Sequence, residues 1–192
     1  LVRRQFKVIG QRVTRPDGVD KFTGRARYGA DAFAPGQLVA LVLRSPHAHA
    51  KIKSIDISAA SKMPGVVNIF TGKDLVDAKV GGLICGWVVK DKHGEPHKSP
   101  AHPVMAVDTV RYVGDTVAMV VANTYDEAKD AAESIKVDYD VKPANIDLAK
   151  ALDKGSPEVH PEAPGNLVYD WEIGVKADVD AAFAKAAHVT KL

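Results

Sequence analysis

The chain contains a single cysteine, Cys85, among its 192 residues, so it can form no internal disulfide. One lone thiol fits a reducing compartment such as the cytoplasm. The sequence also lacks any apolar run of about eighteen residues, so we expect no transmembrane segment, and no signal peptide is recognisable. Lysine and arginine form no run or cluster and the net charge is only +2, so nucleic acid is not an expected partner.

The remaining composition is that of an ordinary globular protein, with 46% hydrophobic and 26% charged residues. The length suits one domain of usual size or two small ones. The chain starts at Leu1 rather than Met, with Arg3 and Arg4 close behind, and residues 187–192 are typical of the beginning of a strand. These two ends predict a fragment of a longer polypeptide.

The stretch from 103 to 141 carries the most regular patterns in the chain. Residues 104–112 are rich in β-forming side chains, and Gly114-Asp115 then gives a turn signal. The unbroken apolar run over 116–122 is typical of a strand that is buried on both faces. The sequence therefore predicts a pair of strands with a turn at Gly114.

A capped helix and a further strand follow this pair. Thr124 and Glu127 have the spacing of a capping box, which predicts a helix over about 125–135. Its apolar stripe recurs at helical spacing and consists of Ala128, Ala131, Ala132 and Ile135. Alternating apolar and acidic residues over 136–141 predict a half-buried strand. No reactive residue set interrupts these elements, so they predict an α+β scaffold rather than a catalytic centre.

Weaker patterns place the remaining elements. They predict strands over 37–44, 51–57, 66–70 and 166–174, and helices over 59–63, 71–75, 147–152 and 178–187. Ser58 and Asp178 are the expected N-caps of the first and last of these helices. The last helix is expected to bury one apolar side, which consists of Val179, Ala182, Phe183 and Ala186.

We expect one domain over residues 1–192, with an N-terminal arm over about 1–35 and a long irregular insertion over about 77–101. The arm contains turn signals at 15–18 and 35–36 and is otherwise expected to be a loop or an extended segment. Its arginines, Arg15, Arg25 and Arg27, leave two interpretations open. They could hold a phosphate, or they could pair with carboxylates or with a partner subunit, and the second is favoured.

Several residues that can bind metals or act as nucleophiles are judged structural. His47 and His49 place both rings on one face of an extended segment, but no cysteine or carboxylate set completes a zinc site. We expect these imidazoles to hydrogen-bond a neighbouring segment or subunit. Gly72-Lys73 is not a phosphate-binding loop, because six residues rather than four separate it from the upstream Gly65 and Asp74 replaces the required Ser or Thr.

The insertion contains the only cysteine, and its flanking residues predict a buried and inert thiol. His93, His97 and His102 are spread as in a solvated loop and form only a weak metal signal. Long irregular insertions often carry function or contact a partner.

Four pieces of the sequence, in order, resemble a known family. They are Arg15–Gly18 with Thr23–Tyr28; Leu43–Ala50 running into 55–56 and 64–67; His102-Pro103 and Val110–Asp115 with 117–132; and Val137–Tyr139, Pro143-Ala144 and Ala163–Leu167. Together they are similar to the N-terminal part of the large, molybdenum-binding subunit of the xanthine dehydrogenase family. The aerobic carbon monoxide dehydrogenase-like branch is the most similar, partly through 85–87 and 169–172.

The resemblance implies an α/β-hammerhead fold, with mixed sheets and a few helices packed on them. It also implies an oxidoreductase that hydroxylates or oxidises its substrate at a molybdopterin cytosine dinucleotide centre. Electrons would leave through [2Fe-2S] clusters on a small subunit and FAD on a medium subunit. These subunits, together with the later molybdenum-binding domains of the same chain, are the implied partners. The implied location is cytoplasmic, with membrane association through partners left open.

The same resemblance leaves this chain without an assigned site residue. In the family, the glycine-rich loop, the glutamine near molybdenum, the catalytic glutamate and the active-site cysteine come later, and none of these motifs precedes Leu192. Cys85 does not lie in the family's cysteine loop. We therefore assign no catalytic, cofactor-binding or metal-binding residue. The implied role is to pack against the molybdenum domains and the iron–sulfur subunit and to shape access to the site.

Two other classes of function are considered, and only the first remains open. The chain could be a stand-alone hammerhead domain that binds a partner without chemistry. A small hydrolase using His47 or Cys85 is disfavoured, because no nucleophile, base and orienting group are found together. Within the family, carbon monoxide, an aldehyde and an N-heterocycle all remain possible substrates.

Overall fold

The computed structural model describes residues 6–191, and the chain divides after Gln37 into two compact units. The first unit contains one short helix, α1 (Gly18–Phe22), and a 3-10 turn at Gly29–Asp31. The expected turn at 15–18 is present, since the Gly18 amide donates to the Arg15 carbonyl at 3.1 Å. This turn continues into α1, which the sequence analysis had assigned to a loop or extended arm.

The second unit is built on two antiparallel sheets of three strands each. In chain order the strands are β1 (Val39–Arg44), β2 (Ala50–Asp56), β3 (Val66–Thr71), β4 (Thr109–Val110), β5 (Thr116–Ala122) and β6 (Lys136–Val141). The first sheet has the order β1-β5-β3 and the second the order β4-β2-β6. The expected α+β class is confirmed.

Strand β5 is the centre of the first sheet, as its apolar run predicts. Its two neighbours place Leu41 and Ile69 opposite Val120, which is fully buried. The buried residues of this core come from β3, β5, the 3-10 turn at 60–62 and the helix that follows β5: Ala60, Ile69, Ala118, Val120, Ala122, Ala128, Ala131, Ala132 and Ile135. Within β5, Val117, Ala118, Val120 and Ala122 are buried and Met119 and Val121 are half-buried, which explains why no polar side chain interrupts residues 117–122.

Helix α3 (Tyr125–Ser134) packs on this sheet and has the predicted cap. The Thr124 hydroxyl accepts the Glu127 amide at 3.3 Å, and the Glu127 carboxylate accepts the Thr124 amide at 3.0 Å. Both bonds satisfy amides that the first helical turn leaves without an intrahelical partner. The predicted stripe, including Ala128 and Ala132, is buried against the sheet.

The expectation of a strand pair around Gly114 is wrong. Only Thr109–Val110 of the segment 104–112 is a strand, and it pairs with β2 rather than with β5. The turn itself exists, with Gly114 at φ +93°, but it carries the chain from one sheet to the other. Backbone bonds with Ser45 hold it there: Ser45 donates to Asp115 at 2.8 Å and accepts from Gly114 at 2.8 Å.

The other short helices differ from expectation mainly in type and length. Helix α2 (Gly72–Asp77) begins with a capping box formed by Thr71 and Asp74. The helix expected over 59–63 is a 3-10 turn at Ala60–Lys62, and Ser58 does not cap it, because the N-cap position is Ala59 and no side chain makes a cap hydrogen bond there. The helix expected over 147–152 is a 3-10 turn at Leu148–Lys150.

The last part of the chain departs furthest from the sequence prediction. No strand forms over 166–174. Helix α4 (Lys176–Ala184) begins before Asp178, which therefore lies in the first turn and is not the N-cap. Every residue of α4 is exposed, so its apolar side is not buried as expected. The strand expected from residue 187 is absent through 191, and Leu192 lies outside the described residues, as do Leu1, Arg3 and Arg4.

Candidate functional site

The insertion loop, residues 78–101, folds without a helix or a regular strand. The Leu83 amide donates to the His102 carbonyl at 2.8 Å and closes the base of the loop. Gly82 allows this close approach, because a Cβ at that position would lie 2.5 Å from the His102 carbonyl oxygen. A second contact, from the Asp91 amide to the Glu95 carbonyl at 2.8 Å, closes the tip. Between base and tip, the His97 amide donates to the Val89 carbonyl at 2.8 Å, so backbone bonds hold the loop at several points.

The segment that follows residue 165 runs beside this loop. The Lys92 amide donates to the Asp170 carbonyl at 2.9 Å, and the Lys98 amide donates to the Val168 carbonyl at 3.0 Å. The Lys92 ammonium also pairs with the Asp170 carboxylate at 2.5 Å, and this hydrogen bond and charge raise the pKa of Lys92. Residues 166–174 have a strand-like sequence but form no strand. They are hydrogen-bonded to the insertion loop only at single positions and not in a continuous β-ladder.

Cys85 is exposed, so the prediction of a buried thiol is wrong. Its apolar neighbour Ile84 is itself 92% exposed and offers no shielding. The Cys85 sulfur lies 3.6 Å from His97 Nε2, while His97 Nδ1 accepts the Val89 amide at 3.0 Å. With Nδ1 accepting, a neutral His97 ring carries its proton on Nε2. His97 then presents a donor to the sulfur, which is the opposite of what a general base needs.

Of the two histidines of the H-x-H pair, only His49 makes the expected hydrogen bond to a neighbouring segment, while His47 makes an aromatic contact instead. His49 Nδ1 lies 3.0 Å from the Pro143 carbonyl oxygen, just after β6. The His47 ring packs edge-on against Tyr139 of β6, with ring centroids 4.9 Å apart. Across residues 6–191, no group of three or more His, Cys, Asp or Glu side chains is arranged to hold a metal ion.

Two of the three N-terminal arginines pair with carboxylates close by in sequence. Arg15 lies 3.1 Å from Asp17, and Arg25 lies 3.2 Å from Asp20. Each pair is well exposed to solvent, so each contributes little to stability. These contacts favour the carboxylate interpretation over a phosphate site.

Exposed apolar side chains are concentrated outside the two sheets. In the insertion loop, Ile84 and Trp87 are 92% and 76% exposed. After β6, Leu148 is 95% and Ile173 is 79% exposed. We call the exposed apolar side chains of the loop and of residues 142–191 the apolar exterior. Large exposed apolar side chains in such numbers mark surfaces that contact other protein.

A cleft centred on Arg111 is the other candidate site, and sequence analysis did not single it out. Three neighbouring cavities of about 300, 540 and 330 Å³ all include Arg111 in their walls. The guanidinium Nε donates to the Val159 carbonyl at 3.3 Å, and Nη1 donates to the Thr109 carbonyl at 3.4 Å. The only hint of this cleft in the sequence is the position of Arg111 directly after the β-forming residues of β4.

The surroundings of two titratable groups beside Arg111 shift their pKa values in the direction that favours the neutral form. Burial, and next the charge of Arg111, lower the pKa of His160. Burial, and next the charge of Asp115, raise the pKa of Tyr112. Both side chains line the cavity of about 300 Å³ together with Arg111. The guanidinium is thus the main fixed positive charge of that cavity near neutral pH.

The sequence matches the family described as "Aldehyde oxidase and xanthine dehydrogenase, a/b hammerhead domain" over residues 23–143. The chain belongs to this family. The matched residues include both sheets and helices α2 and α3, so the family pattern coincides with the packed part of the second unit.

Among curated proteins, the chain is 36% identical over 187 residues to the nicotine 6-hydroxylase large subunit of Paenarthrobacter nicotinovorans, covering 95% of this chain and 21% of that protein. It is 35% identical over 185 residues to the carbon monoxide dehydrogenase large chain of Afipia carboxidovorans, covering 89% and 21%. The hammerhead chain therefore spans about a fifth of the length of the curated relatives it matches.

Solved structures agree with this assignment. Carbon monoxide dehydrogenase from Oligotropha carboxidovorans superposes with a TM-score of 0.72 at 31% identity, covering 93% of this chain and 22% of that chain. Quinoline 2-oxidoreductase from Pseudomonas putida 86 gives a TM-score of 0.70 at 36% identity, covering 81% and 19%. The expected hammerhead fold is confirmed.

Proposed function

We propose that this chain is the hammerhead domain of the large subunit of a molybdenum-dependent hydroxylase or dehydrogenase, similar to carbon monoxide dehydrogenase. The supporting relatives are named as the large subunit of a hydroxylase and the large chain of a dehydrogenase, and they are about five times as long as the match. The observation that carries the proposal is the family match over both sheets together with the apolar exterior around them. A domain that works inside a larger subunit needs such a surface.

The proposed cofactor of the whole enzyme is molybdopterin cytosine dinucleotide, with FAD and [2Fe-2S] clusters on partner subunits. Residues 6–191 bring together no group of three or more His, Cys, Asp or Glu side chains that could hold a metal ion. The family resemblance alone is the support for assigning the cofactor to the later molybdenum-binding domains of the large subunit. No catalytic step is assigned to a residue of this chain.

The proposed work of the domain is to support the molybdenum-binding domains and to contact the iron–sulfur subunit. The apolar exterior is the surface assigned to these contacts, and Ile84 and Trp87 are its strongly exposed members in the insertion loop. We also propose that residues 1–192 act as one hammerhead domain with an N-terminal arm and an insertion loop. None of the helices described in residues 6–191 is long and apolar enough to cross a membrane.

We propose a cytoplasmic location for this enzyme. Its support is the lone thiol, Cys85, which has no cysteine with which to pair. A location outside the cytoplasm would be revealed by fractionation of cells that produce the intact protein.

The test is to purify the intact protein and to measure its molybdenum content, its flavin and its iron. Reduction of an artificial acceptor would then be assayed with carbon monoxide, an aldehyde and an N-heterocycle in turn. The proposal expects stoichiometric molybdenum and turnover of one of the three substrate classes. Intact protein without molybdenum or turnover would contradict it and would favour a stand-alone binding domain.

The assigned contact surface can be tested in the same preparation. Ile84→Asp places a charge in the apolar exterior and is expected to reduce copurification of the iron–sulfur and flavin subunits, or molybdenum loading. Val67→Asp is the matched control, since Val67 is 55% exposed but belongs to β3 of the first sheet. Equal assembly of the two variants would remove the support for this surface.

A further inference from the structure

Residues 145–167, which follow β6, are organised around the side chain of Asn166. Its Oδ1 atom accepts the Val159 amide at 2.9 Å. Its Nδ2 atom donates to the Ala151 carbonyl at 2.9 Å and to the Pro157 carbonyl at 3.0 Å. These bonds use both N–H groups of the side-chain amide and its oxygen. One half-buried side chain thus joins three separate positions of this stretch.

The backbone at Asn166 sets the direction in which the chain leaves this stretch. Gly165 and Asn166 both lie in the left-handed region, with φ values of +63° and +59°. Asparagine tolerates this conformation better than most residues that carry a side chain. The Glu158 carboxylate accepts the Gly165 amide at 2.8 Å and holds the first of these two residues. The path of residues 167–170 therefore starts from a fixed point.

The segment that leaves Asn166 meets the insertion loop at once. The Lys98 ammonium donates to the Leu167 carbonyl at 3.2 Å, and the Lys98 amide donates to the Val168 carbonyl at 3.0 Å. Two positions further along the chain, the Asp170 carbonyl accepts an amide of the same loop at 2.9 Å. The bonds between this segment and the loop therefore begin one residue after Asn166.

In the other direction, Asn166 is connected to the second sheet. Val159, whose amide bonds to Asn166, presents its carbonyl to the Arg111 Nε atom at 3.3 Å. Arg111 directly follows β4, and its own amide donates to Asp115 at 3.1 Å. A series of hydrogen bonds thus runs from the end of β4 through Arg111, Val159 and Asn166 to the segment that meets the insertion loop.

We propose that Asn166 is a positioning residue. It holds residues 167–170 in one place beside the second sheet, and it thereby fixes how the insertion loop presents its exposed apolar side chains to a partner subunit. The loop gains little from burial, since Ile84 and Trp87 are strongly exposed. Its position relative to the sheet therefore depends on hydrogen bonds, including those to residues 167–170. The link to partner binding rests on the proposed function, whereas the positioning of the loop does not.

The experiment is hydrogen–deuterium exchange of the intact protein carrying Asn166→Gly. Glycine adopts the left-handed conformation readily, so the change removes the three side-chain bonds and keeps the backbone angle accessible. The matched control is Asn145→Gly, which makes the same exchange of residue type. Asn145 is also half-buried and donates to the same two carbonyls, but at 3.4 Å to each. The readouts are peptides over 89–99 in the loop, over 151–160, and over 116–122 in β5.

The proposal expects the loop peptide to exchange about tenfold or more faster in Asn166→Gly and at most about twofold faster in Asn145→Gly. Exchange in β5 should be unchanged in both variants, because the first sheet has its own core. Where the wild-type protein copurifies with partner subunits, Asn166→Gly should reduce the copurified amount about twofold or more, and Asn145→Gly should not reduce it. A wild-type protein without partner subunits would contradict the proposed function, and the exchange comparison would still decide whether Asn166 positions the loop.

Three exchange results would overturn the proposal. The first is a loop peptide that does not exchange faster in Asn166→Gly, including the case in which the change is confined to residues 151–160. The second is equal acceleration of the loop peptide in the two variants. The third is faster exchange in β5, because Asn166 would then act on general stability. Unchanged copurification despite faster exchange of the loop would overturn the link to partner binding.

A second variant keeps the proposal testable if Asn166→Gly does not fold. Asn166→Asp retains an acceptor for the Val159 amide and loses both donors, because an ionised carboxylate only accepts hydrogen bonds. It should accelerate exchange of the loop peptide and leave β5 unchanged. If neither variant folds, Asn166 is required for folding as a whole and the proposal is overturned.

Discussion

The first sheet and the apolar exterior use apolar side chains in opposite ways. In β5 and α3, Val120, Ala128 and Ala131 are fully buried, and the capping box closes the start of the helix. In the insertion loop and in α4, Ile84 and Phe183 are 92% and 59% exposed. The same class of side chain therefore forms a core in one region and an uncovered surface in the other.

The first sheet is stabilised by contacts within the chain, whereas the apolar exterior remains available for contacts with other protein. Hydrophobic burial stabilises the sheets by about 25 cal/mol for each Å² removed from water. The insertion loop gains little from this effect and is held by isolated backbone bonds and by the Lys92–Asp170 pair. We expect substitutions to act strongly on local stability in the first region and mainly on assembly in the second.

The largest expected effect follows from Val120→Ala. The substitution removes two methyl groups from a fully buried side chain, which should cost about 3 kcal/mol. Hydrogen–deuterium exchange of the β5 peptide should then be roughly a hundredfold faster. Val88→Ala is the control, because Val88 is 65% exposed in the insertion loop and should cost less than about 0.5 kcal/mol. If Val120→Ala and Val88→Ala increased the exchange rates of their own peptides equally, the proposed difference between the first sheet and the insertion loop would be contradicted.

The next effect concerns a close approach of two backbones. A Cβ at Gly72 would lie 2.3 Å from the Ala106 carbonyl oxygen, whereas one at Gly81 would meet nothing within 4 Å. Gly72→Ala should therefore force a backbone shift and cost about 2 kcal/mol, while Gly81→Ala should be nearly neutral. Exchange rates of the α2 peptide measure the difference. If Gly72→Ala leaves the exchange protection of the α2 peptide unchanged, the close approach of Gly72 to Ala106 is not rigid and this expectation is contradicted.

A smaller effect is expected at the helix caps, where Thr124 forms a cap bond and Ser58 does not. Thr124→Ala removes the acceptor for the Glu127 amide and should cost about 1 kcal/mol. Ser58→Ala should cost only a few tenths of a kcal/mol, because Ser58 makes no cap bond to the 3-10 turn after it. Exchange at the first turn of α3 and at residues 60–63 provides the two readouts, and equal losses would contradict the assignment.

The smallest effect is a dependence on pH near His160. Burial, and next the charge of Arg111, lower the pKa of His160 in the folded protein, so the neutral ring is favoured there. The unfolded chain takes up a proton first as the pH falls below about 6.5, and the local stability should decrease from that pH downward. Protection of residues 157–168 should fall between pH 7 and pH 5.5, after correction for intrinsic exchange. His160→Gln should make the protection independent of pH in this range.

The sequence predicted the first region well because its signals are local. An unbroken apolar run identifies a central strand, and the spacing of Thr124 and Glu127 identifies a helix start. These patterns report burial and capping directly. The family resemblance added the hammerhead fold, which is confirmed.

The errors lie where distant contacts decide the structure. Residues 104–112 contain β-forming side chains, but only Thr109–Val110 finds a partner strand. Residues 166–174 look like a strand yet meet the insertion loop at single bonds. Cys85 was expected to be buried from its apolar neighbours, and those neighbours are exposed. The Arg111 cleft was missed because its walls come from segments far apart in the sequence.

We expect the apolar exterior to be covered by other protein in the intact assembly. The most direct measurement is oxidative footprinting of Trp87, which is 76% exposed in this chain. The Trp87 reactivity would be compared between the isolated chain and the intact assembled protein, with Tyr125 of α3, 57% exposed, as an internal reference. We expect Trp87 to be at least about fivefold less reactive in the assembled protein, as for a tryptophan buried in an interface core. Equal reactivity of Trp87 in both states would contradict the claim.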